Sequence, residues 1–197
     1  EWFRALWPEV QTVALYDEYL YQLFHRENRL TPEMYERVHR QLKMSAESGV
    51  DGILFAGSLW TDCVKACRDD FDIPVLAAYE CLIEKALDEL PSSAMALIAT
   101  EPGTITSFEN DFSQACNASV RLDTVYIEGA MKILASGDRA RHDELVIEHG
   151  KALHTHEVIL LAQFSMESVA ERLHRETGKT VYGSLSTAAA KLKQLLA

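Results

Sequence analysis

Apolar runs and amphipathic stretches alternate along the chain. "EWFRALW" has a helical spacing that stops at Pro8, and "TVALY" (12–16) reads as a short strand. "TPEMYERVHRQLKMSAESG" reads as a helix with Thr31 as N-cap, Pro32 in its first turn and Gly49 as its stop. "GILFA" (52–56) is a continuous apolar run of the kind buried on both faces of a parallel sheet. A helix follows over about 59–70, then a strand "IPVLAA" (73–78), then a helix "ECLIEKALDEL".

The pattern then starts again. "AMALIAT" (94–100) predicts a strand, "EPGTITSFENDFSQACN" a turn and helix, and "RLDTVYI" a strand. Gly137 separates two helical stretches. "EVILLA" (157–162) is a strand, "MESVAERLHRETG" a helix and "TVYG" a last short strand. "SLSTAAAKLKQLL" closes the chain as a helix capped by Ser184 or Ser186. Strands alternating with helices predict an α/β fold with parallel sheets. The later half holds four strands and the earlier only three. If the halves are repeats, one strand and its loop precede Glu1, and the natural protein is longer by roughly twenty residues.

Composition changes this picture little. The chain has 197 residues, 48% apolar and 25% charged, with a formal charge of −11. That charge argues against nucleic acid and anionic membranes as partners, since both need a basic face. No apolar run is long enough to span a bilayer. The four cysteines, Cys63, Cys67, Cys81 and Cys116, suit a reduced, cytoplasmic setting. Cys63 and Cys67 are half a metal site at best, and "HTH" (154–156) has no acidic partner placed by spacing, so no metal is expected.

Ligands of open parallel sheets bind beyond the carboxyl ends of the strands. Three such corners carry chemistry. Gly57-Ser58-Leu59 follows "ILFA"; Thr100, Glu101, Pro102, Gly103 and Thr104 follow "ALIA"; Gln163-Phe164-Ser165 follow "ILLA". Each offers hydroxyls, amides or backbone N–H groups at a helix start, a set suited to a small carboxylate. Ser and Thr at such places are more often only caps.

The segments "GVDGILFAGSLWTDCVKACRDDFDIPVL", "ALIATEPGTITSFENDF" and "EVILLAQFSMESVAERL", in this order over nearly the whole chain, resemble the aspartate/glutamate racemase superfamily, which includes hydantoin racemases, maleate isomerases and arylmalonate decarboxylases. "AQFSM" is similar to one racemase-like branch. The resemblance implies a doubly wound, Rossmann-like fold of two pseudo-symmetric parallel-sheet halves. We place them at 1–92 with 184–197, and at 93–183, with the site in the cleft between. It also implies proton transfer at the carbon α to a carboxylate, without cofactor, by one cysteine from each half, and a homodimer.

The chain departs from that pattern twice. Gly57 and Gln163 stand where the two cysteines are expected, and neither can serve as a base. Asp62, Cys63, Glu80 and Glu101 are the candidates to replace them, with Ser58, Leu59, Thr100, Thr104, Phe164 and Ser165 as ligand contacts. Two readings follow: a cofactor-independent racemase or isomerase working by another base, and a silent relative that binds a small carboxylate.

Overall fold

The computed structural model describes residues 2–90, 93–116 and 120–197. The protein is an α/β chain with two parallel sheets. In the smaller sheet, β1 (Ile53–Phe55) pairs in parallel with β2 (Val75–Ala77), Ile53 opposite Val75. The larger sheet has the order β4-β3-β5-β6. Its strands are β3 (Met95–Ala99), β4 (Leu122–Tyr126), β5 (Val158–Leu161) and β6 (Thr180–Gly183). β3 and β5 are buried at every residue, because helices cover both faces of the sheet. β4 lies at an edge and is only half-buried.

The helices start and stop largely where local chemistry requires. α1 covers Trp2–Leu6 and α3 covers Pro32–Glu47. Pro32 opens α3 as predicted, but Thr31 makes no side-chain cap bond. Gly49 takes φ +74° just beyond its end, a left-handed turn that glycine adopts without strain. After β1, one 3-10 turn (Ser58–Trp60) leads into α4 (Thr61–Cys67), and α5 spans Glu80–Glu89. In the larger sheet's half, α6 is Pro102–Ala115, α7 Ala130–Ala135, α8 Arg139–Lys151 and α9 Ala170–Thr177.

α10 (Ser184–Leu195) turns back onto the smaller sheet. Its Ala188 and Leu192 pack with Leu76 and Cys81, against Leu54, Phe3 and Trp7. Neither Ser184 nor Ser186 caps it. The N-cap is Gly183, and the Glu167 carboxylate accepts from Leu185 N (3.2 Å) and Ser186 N (3.1 Å). A carboxylate brought from another loop thus replaces the local hydroxyl cap. A Cβ at Gly183 would lie 2.7 Å from Glu167 Oε1, so a side chain there would push this capping carboxylate aside.

Two expectations fail near the start of the chain. Residues 12–16 form no strand: Val13 is 84% exposed, and the segment has no ladder partner. The smaller sheet therefore shows two strands where three were read. Immediately after it, α2 (Glu18–Glu27) was not anticipated. Its Leu20 and Leu23 are buried against Met34, Val38 and Leu42 of α3. Asp17 is its N-cap, accepting from Tyr19 N at 3.1 Å, and Asn28 closes it at φ 50°.

Candidate active site

The three corners lie at the carboxyl ends of β1, β3 and β5, and the fold joins them in pairs. Ser58 Oγ and Thr104 Oγ1 share a hydrogen bond at 2.8 Å, both residues being buried, so the first corner is tied to the second. Gln163 Oε1 accepts from Thr100 N at 2.9 Å and from Thr100 Oγ1 at 3.2 Å. Two donors on one oxygen fix which way the amide faces. Its Nε2 is buried and has no partner, and the same holds for Ser165 Oγ. Buried donors without acceptors are rare and costly, by about 1–3 kcal/mol each. This corner therefore presents oriented N–H and O–H groups with no acceptor among the described residues.

The Gly57 position is filled by neighbours rather than left open. A Cβ placed there would fall on Trp60 Cδ1, 3.0 Å from Trp60 Nε1 and 3.3 Å from the Tyr21 hydroxyl. Trp60 is 1% exposed and held edge-on between Tyr21 (5.7 Å) and Phe24 (5.8 Å). Tyr21 and Phe24 come from α2, the helix the sequence pattern did not reveal. The Gly103 turn is covered in the same way: a Cβ there would meet Leu59 Cδ2, with Phe24 Cζ at 3.1 Å. The anion cradle expected at the start of α6 is thus overlaid by Leu59 and Phe24.

The four candidate bases separate. Cys63 is fully buried in the apolar cluster that holds Met34, Val38, Leu59, Trp60 and Val64. Burial, with the nearby Asp62 charge, pushes its thiol up to about 12, so it stays protonated at neutral pH. Asp62 accepts from Ser107 Oγ at 3.1 Å, a bond from α4 to α6. Glu80 is committed twice: Arg68 Nη1 lies 2.6 Å from its Oε2, and Ala77 N donates to its Oε1 at 2.8 Å. Each of these three is thus engaged by its surroundings. Glu101 differs. Among the described residues its carboxylate has no hydrogen bond or ion pair, while its carbonyl accepts from Thr104 N at 3.2 Å. It sits directly after Thr100, and after burial its charge also raises the Tyr21 and Tyr126 hydroxyls.

Phe164 packs against the α10 cluster with Leu76 and Leu192. One cation at the third corner was missed: Arg139 Nη1 donates to the Ser165 carbonyl at 3.1 Å and remains exposed. Its only sequence signal is position at the start of α8. His156 of "HTH" pairs with Asp123 (2.7 Å).

The profile of the family described as Asp/Glu/Hydantoin racemase matches residues 22–192. The chain belongs to that racemase family. Among solved structures it is similar to glutamate racemase isoform RacE1 from Bacillus anthracis, with TM-score 0.62 and 16% identity over 84% of this chain. The chain spans 66% of that racemase's length. Allantoin racemase from Klebsiella pneumoniae gives TM-score 0.56 and 22% identity, covering 83% of this chain and 66% of the other. Arylmalonate decarboxylase gives 0.61 and 16%, covering 85% and 78%. No curated protein matches the chain. At these identities the structures speak for the racemase fold alone. Among the described residues no helix is long and apolar enough to cross a membrane.

Proposed function

We propose that this racemase-family protein takes a small carboxylate at the corners of β3 and β5 and acts as a cofactor-independent isomerase. Its proton would be moved by a carboxylate instead of a thiol pair. One observation carries the binding half: Gln163 is locked by Thr100 with its own N–H groups buried and unpaired. A carboxylate or carbonyl oxygen supplies the missing acceptor, with Ser165 Oγ as a second donor and Arg139 as the nearby cation. Glu101 is the base in this reading, since it alone of the four candidates is unengaged beside that corner. The Gln163 and Ser165 donors would stabilise charge developing on the ligand carboxylate as the α-proton leaves. The filled position at Gly57 and the buried thiol of Cys63 speak against the two-thiol mechanism.

The same two features favour a second reading, in which the protein binds a carboxylate and does no chemistry. Proton NMR in D2O separates the readings. Both enantiomers of aspartate and glutamate, several hydantoins, maleate and arylmalonates would be incubated with the protein. Loss of an α-proton signal or new product peaks, abolished by Glu101→Gln and weakened by Gln163→Ala, supports the isomerase. Ligand line broadening without exchange, lost in Gln163→Ala alone, supports the binding protein. No exchange and no broadening with any compound refutes both.

A further inference from the structure

One buried titratable side chain near the third corner has no part in the chemistry so far. His142, on α8, is wholly buried. Its Nδ1 lies 2.8 Å from Asp143 Oδ1. A carboxylate only accepts, so Nδ1 carries a proton and Nε2 is the one open position of the ring. Nε2 is buried and has no partner among the described residues. Five buried side-chain atoms among these residues are orphaned in this way. Three of them, on His142, Gln163 and Ser165, belong to the third corner and the helix packed on it, so the vacancy is a property of this place and not of the fold at large.

Two bonds fix how α8 meets the 3-10 turn Phe164–Val169 that carries Ser165. Arg139 Nη1 donates to the Ser165 carbonyl at 3.1 Å, and Ser168 Oγ donates to Asp143 Oδ2 at 3.0 Å. Arg139 Nη1 also lies 3.9 Å from Asp143 Oδ1. Arg139, His142 and Asp143 stand at i, i+3 and i+4, so they share one face of the helix. His142 is thus bracketed by the two bonds and turned to the same 3-10 turn. Ser165 Oγ is a hydroxyl without a partner, and His142 Nε2 is a ring nitrogen without one. The two atoms are not bonded to each other; a change of the Ser165 rotamer or one bridging water would join them.

Removing a proton α to a carboxylate places a second negative charge on that group. The Gln163 amide can stabilise this charge but cannot neutralise it. Resting on the ligand reading above, we propose that Ser165 and His142 form a relay that protonates the ligand carboxylate while Glu101 takes the α-proton. The C–H electron pair moves into the bond to the carboxyl carbon, and the C=O pair moves onto oxygen. That oxygen takes the Ser165 hydroxyl proton, and Ser165 takes the proton of His142 Nε2. His142 passes from imidazolium to neutral imidazole, and Asp143 keeps the Nδ1 proton beside it throughout. The reverse transfers restore the carboxylate when the carbon is reprotonated. Ser165 touches the ligand and is the catalytic residue; His142 and Asp143 act through it and are positioning residues.

The test is nitrogen-15 NMR of the 197-residue chain with labelled histidine. Formate and trimethylacetate serve as probes; both are carboxylates without an α-hydrogen, so no turnover is needed. The His142 Nε2 resonance is expected to move when a probe binds. In Ser165→Ala it stays in place although the probe still binds through Gln163. With any compound that turns over, Ser165→Ala and His142→Gln should each lower kcat by about a hundred-fold or more and leave KM little changed. The double variant should fall no further than either single one. Additive losses overturn the relay and leave the ligand reading standing, as does a His142 Nε2 resonance that ignores a bound probe. Line broadening of no carboxylate, probe or substrate, overturns both. If the buried substitution His142→Gln prevents folding, the resonance in the parent and in Ser165→Ala decides.

Discussion

Gly57 offers the sharpest test of how the first corner is built. Its backbone lies at φ −90°, ψ 106°, which any L-residue adopts without strain. By backbone entropy alone, Gly57→Ala would stabilise the fold by about 0.4–1 kcal/mol. The structure predicts the opposite. The new methyl falls on Trp60 Cδ1, 3.0 Å from Nε1, where carbon contacts settle at about 3.5–4 Å. Trp60 cannot swing aside freely, because Tyr21 and Phe24 stand edge-on against it. Overpacking of this kind costs roughly 1–3 kcal/mol. The net loss is then about 1–2 kcal/mol. At roughly 2–4 °C per kcal/mol for a chain of this size, the thermal midpoint falls by about 2–8 °C. Calorimetry measures this directly, with Trp60→Leu as the second arm of a cycle. In that background the added methyl has room, and its cost should drop below about 0.5 kcal/mol. A Gly57→Ala protein as stable as the parent or more so would refute the packing argument. Gly57→Cys inherits the same clash, so a thiol introduced there meets Trp60 as well.

Three further outcomes are expected. Asp17→Ala removes the α2 cap and the partner of Arg37 and Gln41, lowering stability by about 1–3 kcal/mol in urea titration. The Arg37 guanidinium holds the Asp17 carboxyl below its usual range, so its contribution is present above about pH 4 and lost as the pH falls further. In the Ala variant the acid limb of the stability curve between pH 5 and 3 should flatten; an unchanged limb contradicts the assignment. Ellman's reagent should modify Cys67 and Cys116 in the native protein but reach Cys63 and Cys81 only on unfolding, both thiols being buried and raised to about 12. Rapid native labelling of Cys63 would show its helix face misplaced. Glu167→Ala should cost about 1–2 kcal/mol by uncapping α10, read as a lower urea midpoint; no change would mean water satisfies Leu185 and Ser186 equally well.

The apolar runs of β3 and β5 were legible because burial on both faces leaves no polar position to confuse them. The three corners were legible for the same reason, as the first polar residues after such runs. α2 was less so, although Asp17 and Asn28 bracket Leu20 and Leu23 at helical spacing. Its charged and aromatic positions obscure a short apolar stripe. "TVALY" has strand chemistry, but a strand also needs a partner edge, and no local pattern supplies one. The side a helical residue faces is likewise a long-range fact. Nothing near Cys63 says that it is sealed in an apolar cluster with Met34 and Val38, and nothing near Glu80 announces Arg68. The role of Trp60 at Gly57 depends on α2 and could not precede it.

The bond between Ser58 and Thr104 has a further consequence. It joins the corner of the smaller sheet to that of the larger, and Leu59 lies over Gly103 beside it. The two corners are thus held together. A ligand reaching between these corners must first separate a buried hydroxyl pair and its apolar cover. Its apparent affinity is reduced by the cost of that separation. Loosening the latch, as in Thr104→Val, should therefore tighten binding even though it removes a polar group. Bound ligand would then register as faster amide exchange at residues 58–60 and 102–104, the reverse of the protection that binding usually brings.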